Sequence, residues 1–266
     1  MGRESGLSGW VDARQTSGRY TFTREEARRE LRMSSDAFHR AALRLAGAKR
    51  IARLRGGFFV IVPMEHSVAG IVPPDWFIAD LMAHLGRPYY AGLLTAAAHH
   101  GASHQAAQWF QVVTNRGLAD IVVRGVGVRF YSKQGVDATP TIRVNTYTGV
   151  LTMSSPEATA LDLVRFAPRT GGLGQVLTVL QELGEVMEAD RLAKEARRDG
   201  CLAYAQRLGW LLERTRFVGR ARKLHAWVDA ETPPRAVLVP GMPIAGSAWD
   251  RRWRLFVNAE VEGDMA

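Results

Sequence analysis

Polar positions dominate the stretch YTFTREEARREL, residues 20–31, but Ala27 and Leu31 stand four apart and fall on one helical face. Thr23 precedes them as an N-cap, and Glu26, three positions on, can reach back to the cap's amide. This spacing predicts a short helix to about Arg32. The segment MSS then turns tightly into SDAFHRAALRLAG, where Phe38, Ala41, Ala42 and Leu45 recur at helical spacing and Gly47 lies just past the end. Beyond it, RIARLRGGFFVIVP reads as two strands around RGG, glycine being the residue that takes the positive φ of a tight hairpin. With residues near 4–16 as a leading helix, the pattern is that of a winged helix-turn-helix, whose second helix can enter a major groove while the first braces it.

The next residues, VPMEHSVAGIVPPD, carry three prolines, a glycine and no helical period. They predict a linker over 64–74, separating a DNA-binding domain of residues 1–63 from a larger domain of residues 75–266. In that larger domain DWFIADLMAHLG predicts an amphipathic helix capped by Asp75 and stopped at Gly86, and YYAGLLTAAAHHG a second helix ending at Gly101. Strands are expected at WFQVVT, DIVVRG, VRFYSK, IRVNTYTG and VLTMS. SSPEATALDLV then opens a helix with Ser155 as cap, Pro156 at its first position and Glu157 in its first turn. Helices near 173–183, 188–198 and 201–216 follow, and strand-like RAVLVP and WRLFVNAEV close the chain. The expected fold is α+β: an N-terminal winged helix-turn-helix followed by a larger mixed α/β domain.

Charge sharpens this picture because it is unevenly placed. The formal net charge is +9; residues 1–63 hold 13 Lys or Arg against 6 Asp or Glu, and the other 203 residues hold 22 against 20. A basic excess attracts polyanions where it is concentrated, so the first quarter is the candidate nucleic-acid surface. On its second helix Ser35, Asp36, His39, Arg40 and Arg44 point away from the apolar stripe. Arg40 could contact guanine in bidentate fashion, while Ser35 and Arg44, nearer the ends, suit phosphates. Lys49, Arg50, Arg53 and Arg55 in the wing would meet backbone or minor groove. The alternative is an ordinary solvated basic face. A second basic cluster, Arg214, Arg216, Arg220, Arg222 and Lys223, is expected at a helix end and the loop after it, either merely solvated or touching DNA or an acidic face of a partner.

Composition excludes several classes. Cys201 is the one cysteine, so an internal disulfide and a multi-cysteine zinc site are ruled out. No apolar run approaches the length needed to cross a bilayer, and no charged start leads into one, so a soluble, cytoplasmic protein is expected. There is no Gly-Lys-Ser phosphate loop, no G-x-S-x-G elbow and no H-E-x-x-H. RTGGLGQVL has glycines before a helix but lacks a preceding strand. Asp120, Glu157, Asp162 and Glu260 could line a nuclease cleft but have no spacing that selects a reaction, and Asp162 could simply accept from a backbone amide. In AAAHHGASHQ, His99 and His100 are about 100° apart on a helix, and the i+4 partner of His100 is His104, beyond Gly101. No cysteine or carboxylate lies between Ala91 and Leu118 to complete a shell. A structural role for these histidines, with no metal and no cofactor, is the expectation.

The segments RPYYAGLLTAAAHHGASHQAAQWFQVVT, SPEATALDLV and WRLFVNAEVEGDM, with the winged helix ending in RLRGGFFVIVP, give the chain its identity by likeness. It resembles the AbiEi-type antitoxins of bacterial type IV toxin-antitoxin systems, which serve in abortive infection as phage defence. The resemblance implies that the winged helix binds inverted repeats in the promoter of its own operon, two copies on one operator, and represses it. It also implies that the C-terminal domain opposes a nucleotidyltransferase-like toxin. No catalytic residue carries over, since such antitoxins are not regarded as enzymes; the DNA-contacting surface falls on the helix and wing positions named above. Two other classes stay open: a stand-alone regulator whose large domain senses a ligand, and a nuclease targeted by the same N-terminal module.

Overall fold

A computed structural model describes residues 6–102 and 108–263. Helix makes up 45% of it and strand 19%, which places the chain in the α+β class. The backbone divides into two compact units, one of residues 1–89, 108–134 and 143–152, the other of residues 90–107, 135–142 and 153–266.

The first unit opens with α1 (Leu7–Thr16), β1 (Thr21–Thr23), α2 (Arg24–Leu31), α3 (Ser35–Gly47), β2 (Ile51–Arg53) and β3 (Phe58–Ile61). The three strands form an antiparallel sheet in the order β1-β3-β2, with Phe22 opposite Phe59 and Ala52 opposite Val60. This is winged-helix topology. Its core gathers Leu7 and Val11 of α1, Ala27 of α2, Phe38, Ala41 and Ala42 of α3, and Phe22, Ile51, Phe59 and Ile61 of the sheet. Phe59 is the hub: Phe22 stacks on it at 5.1 Å and Phe38 meets it edge-on at 5.6 Å.

Local chemistry explains the helix boundaries. Thr23 Oγ1 accepts from the Glu26 amide at 3.1 Å while Glu26 Oε2 accepts from the Thr23 amide at 3.4 Å, the reciprocal capping box that the spacing predicts. Arg32 ends α2 in a left-handed conformation (φ 50), and Ser34 caps α3 by accepting from the Ala37 amide at 3.2 Å. The hairpin turns at Gly56 and Gly57, both at positive φ (60 and 75). Strand β1 is absent from the sequence reading; it is three residues long and runs straight into its own N-cap, so only pairing with β3 makes it a strand.

Further along the first unit, Ile71 and Val72 are buried within the proline-rich segment, which is flanked by 3-10 turns at Met64–His66 and Pro74–Trp76. Asp75 is not a helix cap as expected. It lies inside the second of those turns, and α4 (Ile78–His84) starts after Phe77 without a side-chain cap. Asp80 of α4 instead accepts from Thr21 Oγ1 at 2.5 Å. The strand β4 (Tyr89–Ala91) follows and then α5 (Leu93–His99), so the predicted helix through YYAGLLTAAAHHG is a strand, Gly92, and a shorter helix. Strand β5 (Phe110–Thr114) runs parallel to β7 (Val126–Ser132), with β6 (Ile121–Val123) antiparallel to β7.

The strands β8 (Thr141–Thr146) and β9 (Gly149–Ser154) form the next hairpin, and in the second unit β9 pairs in parallel with β4 at Ala91↔Met153. Helix α6 (Pro156–Arg165) is the centre of that unit: every residue from Glu157 to Val164 is buried. Ser155 caps it through the Ala158 amide at 3.2 Å, with Pro156 at the first position. Around it lie α5, α7 (Gly172–Leu183), α8 (Ala189–Asp199) and α9 (Leu202–Leu212). A tenth helix, α10 (Val218–Ala230), packs on α8 and α9 where the sequence reading places a loop. The chain ends in a small sheet of β10 (Ala236–Val237), β12 (Leu255–Val257) and β11 (Ala248–Asp250), in that order. It is tied to α9 by Gln206, whose Nε2 donates to the Trp253 carbonyl at 2.9 Å and also reaches those of Pro234 and Arg254 at 3.2 Å.

Candidate nucleic-acid interface

Burying Phe38, Ala41 and Ala42 fixes the rotation of α3, and the opposite face follows from helical geometry. Asp36, Arg40 and Arg44 form one exposed row at four-residue intervals; Ser35, His39 and Leu43 form the adjacent row. At 13 residues the helix is about 20 Å long, a length that lies readily in a major groove. Arg53 stands exposed at the end of β2.

The other wing cations are already engaged. Arg50 forms an ion pair with Asp12 of α1. Lys49 donates to the Val68 carbonyl at 3.1 Å. Arg55 is half-buried: its guanidinium donates to the carbonyl of Ala119 and, at 3.4 Å, to that of Asp120, and it lies over the Phe130 ring at 5.4 Å. Desolvation pushes its pKa below the usual arginine value, partly offset by the Asp120 carboxylate. The nine sequence candidates thus divide into six that face solvent (Ser35, Asp36, His39, Arg40, Arg44, Arg53) and three held by the protein.

Two residues escaped the sequence reading. Leu43 is 59% exposed among charged neighbours on α3. Its signal was present, since the spacing that buries Ala41 and Ala42 leaves position 43 outside. An apolar side chain there is suited to the methyl group of thymine. Arg32, exposed in the turn between α2 and α3, is the other.

The second basic cluster lies only partly in a loop: Arg214 and Arg216 follow the end of α9 as expected, but the rest does not. Arg220, Arg222 and Lys223 are on α10, because Ala221, Leu224, Trp227 and Val228 give that run a buried face. Most of the cluster serves packing between helices of the second unit. Arg216 pairs with Glu185, Lys223 with Asp190, and Arg220 Nε donates to the Gly184 carbonyl at 3.2 Å. Arg214 lies over the Trp210 ring, 3.2 Å from its centroid, and Arg222 remains exposed. Arg214 and Arg216 also line an open cleft of about 500 Å3 with Gln181, Glu182 and Glu185, so its walls carry both signs of charge.

Three of the four carboxylates considered for catalysis are engaged by neighbouring groups. Asp120 accepts from the Phe130 amide at 3.0 Å and from Arg129 Nε at 3.3 Å. Glu157 accepts from the Glu188 amide at 2.9 Å. Asp162 accepts from the Tyr90 hydroxyl at 2.5 Å, and burial pushes the tyrosine pKa strongly upward. Arg165 then bridges toward Asp162 at 3.8 Å and binds Asp199 at 2.5 and 2.7 Å, and these carboxylates outweigh the desolvation of the guanidinium. Glu260 is exposed near the end of the chain.

His100 Nε2 lies 2.9 Å from the Ser154 carbonyl, so that nitrogen carries the proton and donates. Burial lowers the pKa of the ring, against the pull of the carbonyl. His99 is exposed beside it, Gly101 (φ 81) ends the run, and His104 lies outside the described residues. Among the described residues no three His, Cys, Asp or Glu side chains are grouped to hold a metal, and no helix is long and apolar enough to cross a membrane.

The class these features define is a winged-helix module joined to a mixed α/β body. Residues 90–214 match the family model of the AbiEi antitoxin C-terminal domain, so the chain carries an AbiEi-type antitoxin domain after an N-terminal region. That domain supports an antitoxin of a toxin-antitoxin system, with a toxin as its partner. The chain is also similar to the RV2827C protein from Mycobacterium tuberculosis, known from its crystal structure. The TM-score is 0.66 over 93% of this chain and 89% of that one, at 17% identity, a likeness of fold alone. No curated protein sequence matches the chain.

Proposed function

We propose that the chain is the antitoxin of a type IV pair, acting in the cytoplasm, and that its winged helix of residues 1–63 binds inverted repeats in its own promoter and represses the operon. Its antitoxin domain would oppose a nucleotidyltransferase-like toxin. The observation that carries the DNA half is the solvent face of α3: Asp36, Arg40 and Arg44 in one row, Ser35, His39 and Leu43 in the next, opposite the buried Phe38, Ala41 and Ala42. With Arg53 on the wing, this supplies hydrogen-bonding, cationic and methyl-contacting groups on one exposed surface.

In this reading Arg40 and His39 address base edges, Leu43 a thymine methyl, and Ser35, Arg44 and Arg53 the phosphates. Two copies on an inverted repeat follow from the symmetry of such a site. The toxin half is tested by expressing the adjacent reading frame alone and together with the full chain. Growth arrest that the chain relieves is the expected result. Absence of a toxic neighbour would instead favour a stand-alone regulator, and metal-dependent cleavage of DNA by the purified chain would favour a nuclease.

A further inference from the structure

The segment from Ala119 to Phe130, outside the winged helix in sequence, holds both of its reading elements from within the same unit. Arg124, at the turn between β6 and β7, donates through one guanidinium nitrogen to the Ala46 carbonyl at 2.7 Å and through the other to the Gly70 carbonyl. Ala46 belongs to the last turn of α3, where its carbonyl also accepts from the Lys49 amide at 3.1 Å and a cation is favoured by the helix dipole. A few residues away, the carbonyls of Ala119 and Asp120 accept from Arg55 at the wing turn, with Phe130 beneath its guanidinium. The Asp120 carboxylate, bonded to the Phe130 amide at 3.0 Å, fixes those carbonyls to β7.

We propose that Arg124 and Arg55 are positioning residues that set the recognition helix and the wing at a fixed spacing for DNA, rather than DNA contacts themselves. This rests on the reading of the winged helix as a DNA-binding module. The physical reason is division of labour: a phosphate contact adds sequence-independent affinity and one increment of salt dependence, whereas holding α3 and the wing in register affects base contacts that need correct placement. Arg55, which its place in the wing assigns to backbone or minor groove, has its guanidinium spent on two carbonyls and a ring.

The test is a titration of the full chain and of Arg124→Ala, Arg55→Ala and Arg53→Ala. The probes are a duplex of the DNA immediately upstream of its own reading frame and an unrelated duplex of equal length, over a series of salt concentrations. Arg124→Ala and Arg55→Ala are each expected to bind the promoter roughly tenfold more weakly. Affinity for the unrelated duplex and the slope of log affinity against log salt should stay unchanged. Arg53→Ala is expected to lose affinity for both duplexes, with the slope reduced by about 0.9. Arg124→Lys, which can keep one of the two hydrogen bonds, should fall between wild type and alanine and covers an alanine variant that does not fold.

A reduced slope for Arg55→Ala or Arg124→Ala would make that residue a phosphate contact and overturn the assignment. So would unchanged promoter affinity, or equal losses on both duplexes. A wild-type chain that does not distinguish its promoter from the unrelated duplex would instead remove the DNA-binding reading beneath it.

Discussion

At Gly209 in α9 there is no room for one more carbon: a Cβ there would lie 2.0 Å from the Trp253 ring, which is fully buried. Gly209→Ala is therefore expected to cost about 1–3 kcal/mol by overpacking, read as a lower urea midpoint; an unchanged midpoint would show that the ring yields freely. His100 gives a pH signature. Its folded-state pKa is below the ordinary 6.5, chiefly through burial, so the unfolded chain binds the proton more tightly. The stability held by the neutral ring is thus present above about 6.5 and lost as pH falls from there through the lowered folded value. Thermal unfolding from pH 7.5 down to 5 should show this decline, and His100→Gln should flatten it. An identical slope in the variant would assign the decline to other groups.

Elements with local signals were legible in the sequence, and those made by tertiary contact were not. The capping box at Thr23 and Glu26 and the glycines of the wing involve neighbours in the chain, so spacing alone places α2, α3 and the hairpin. Thr23→Ala should remove the cap and destabilise the protein by about 1 kcal/mol, seen as a shift in thermal midpoint that Thr23→Ser largely restores. In contrast, β1 exists through pairing with β3, and the apolar run YYAGLLTAAA does not say that Gly92 divides a strand from a helix. Helix α10 had a readable stripe in Ala221, Leu224, Trp227 and Val228, but its dense basic residues read as a solvated loop. The candidate interface divides the same way. Burial of Phe38 and Ala41 follows from periodicity and exposes Arg40 and Arg44, while the engagement of Arg55 and Arg50 depends on Ala119 and Asp12, which no spacing rule connects to them.

For the whole molecule the deciding quantity is where charge remains available. Residues 1–63 carry 13 of the 35 basic side chains, and those facing solvent on α3 and the wing lie on the proposed DNA surface, whereas much of the basic cluster of the second unit is paired with carboxylates or backbone. Charge reversal at Arg222, exposed on α10, is accordingly expected to leave promoter affinity within about twofold, the small effect usual for a surface charge away from the contact. A larger loss in a salt-matched titration would extend the DNA surface to α10.

The central claim, a promoter-binding antitoxin that reads DNA with α3, is tested most directly by titrating the purified chain and its Arg40→Ala, Arg53→Ala double variant against the duplex upstream of its own reading frame. The account predicts tight, steeply salt-dependent binding by the wild type and at least about tenfold weaker binding by the double variant, with unchanged thermal stability. Equal affinity of the two proteins for that duplex would contradict it.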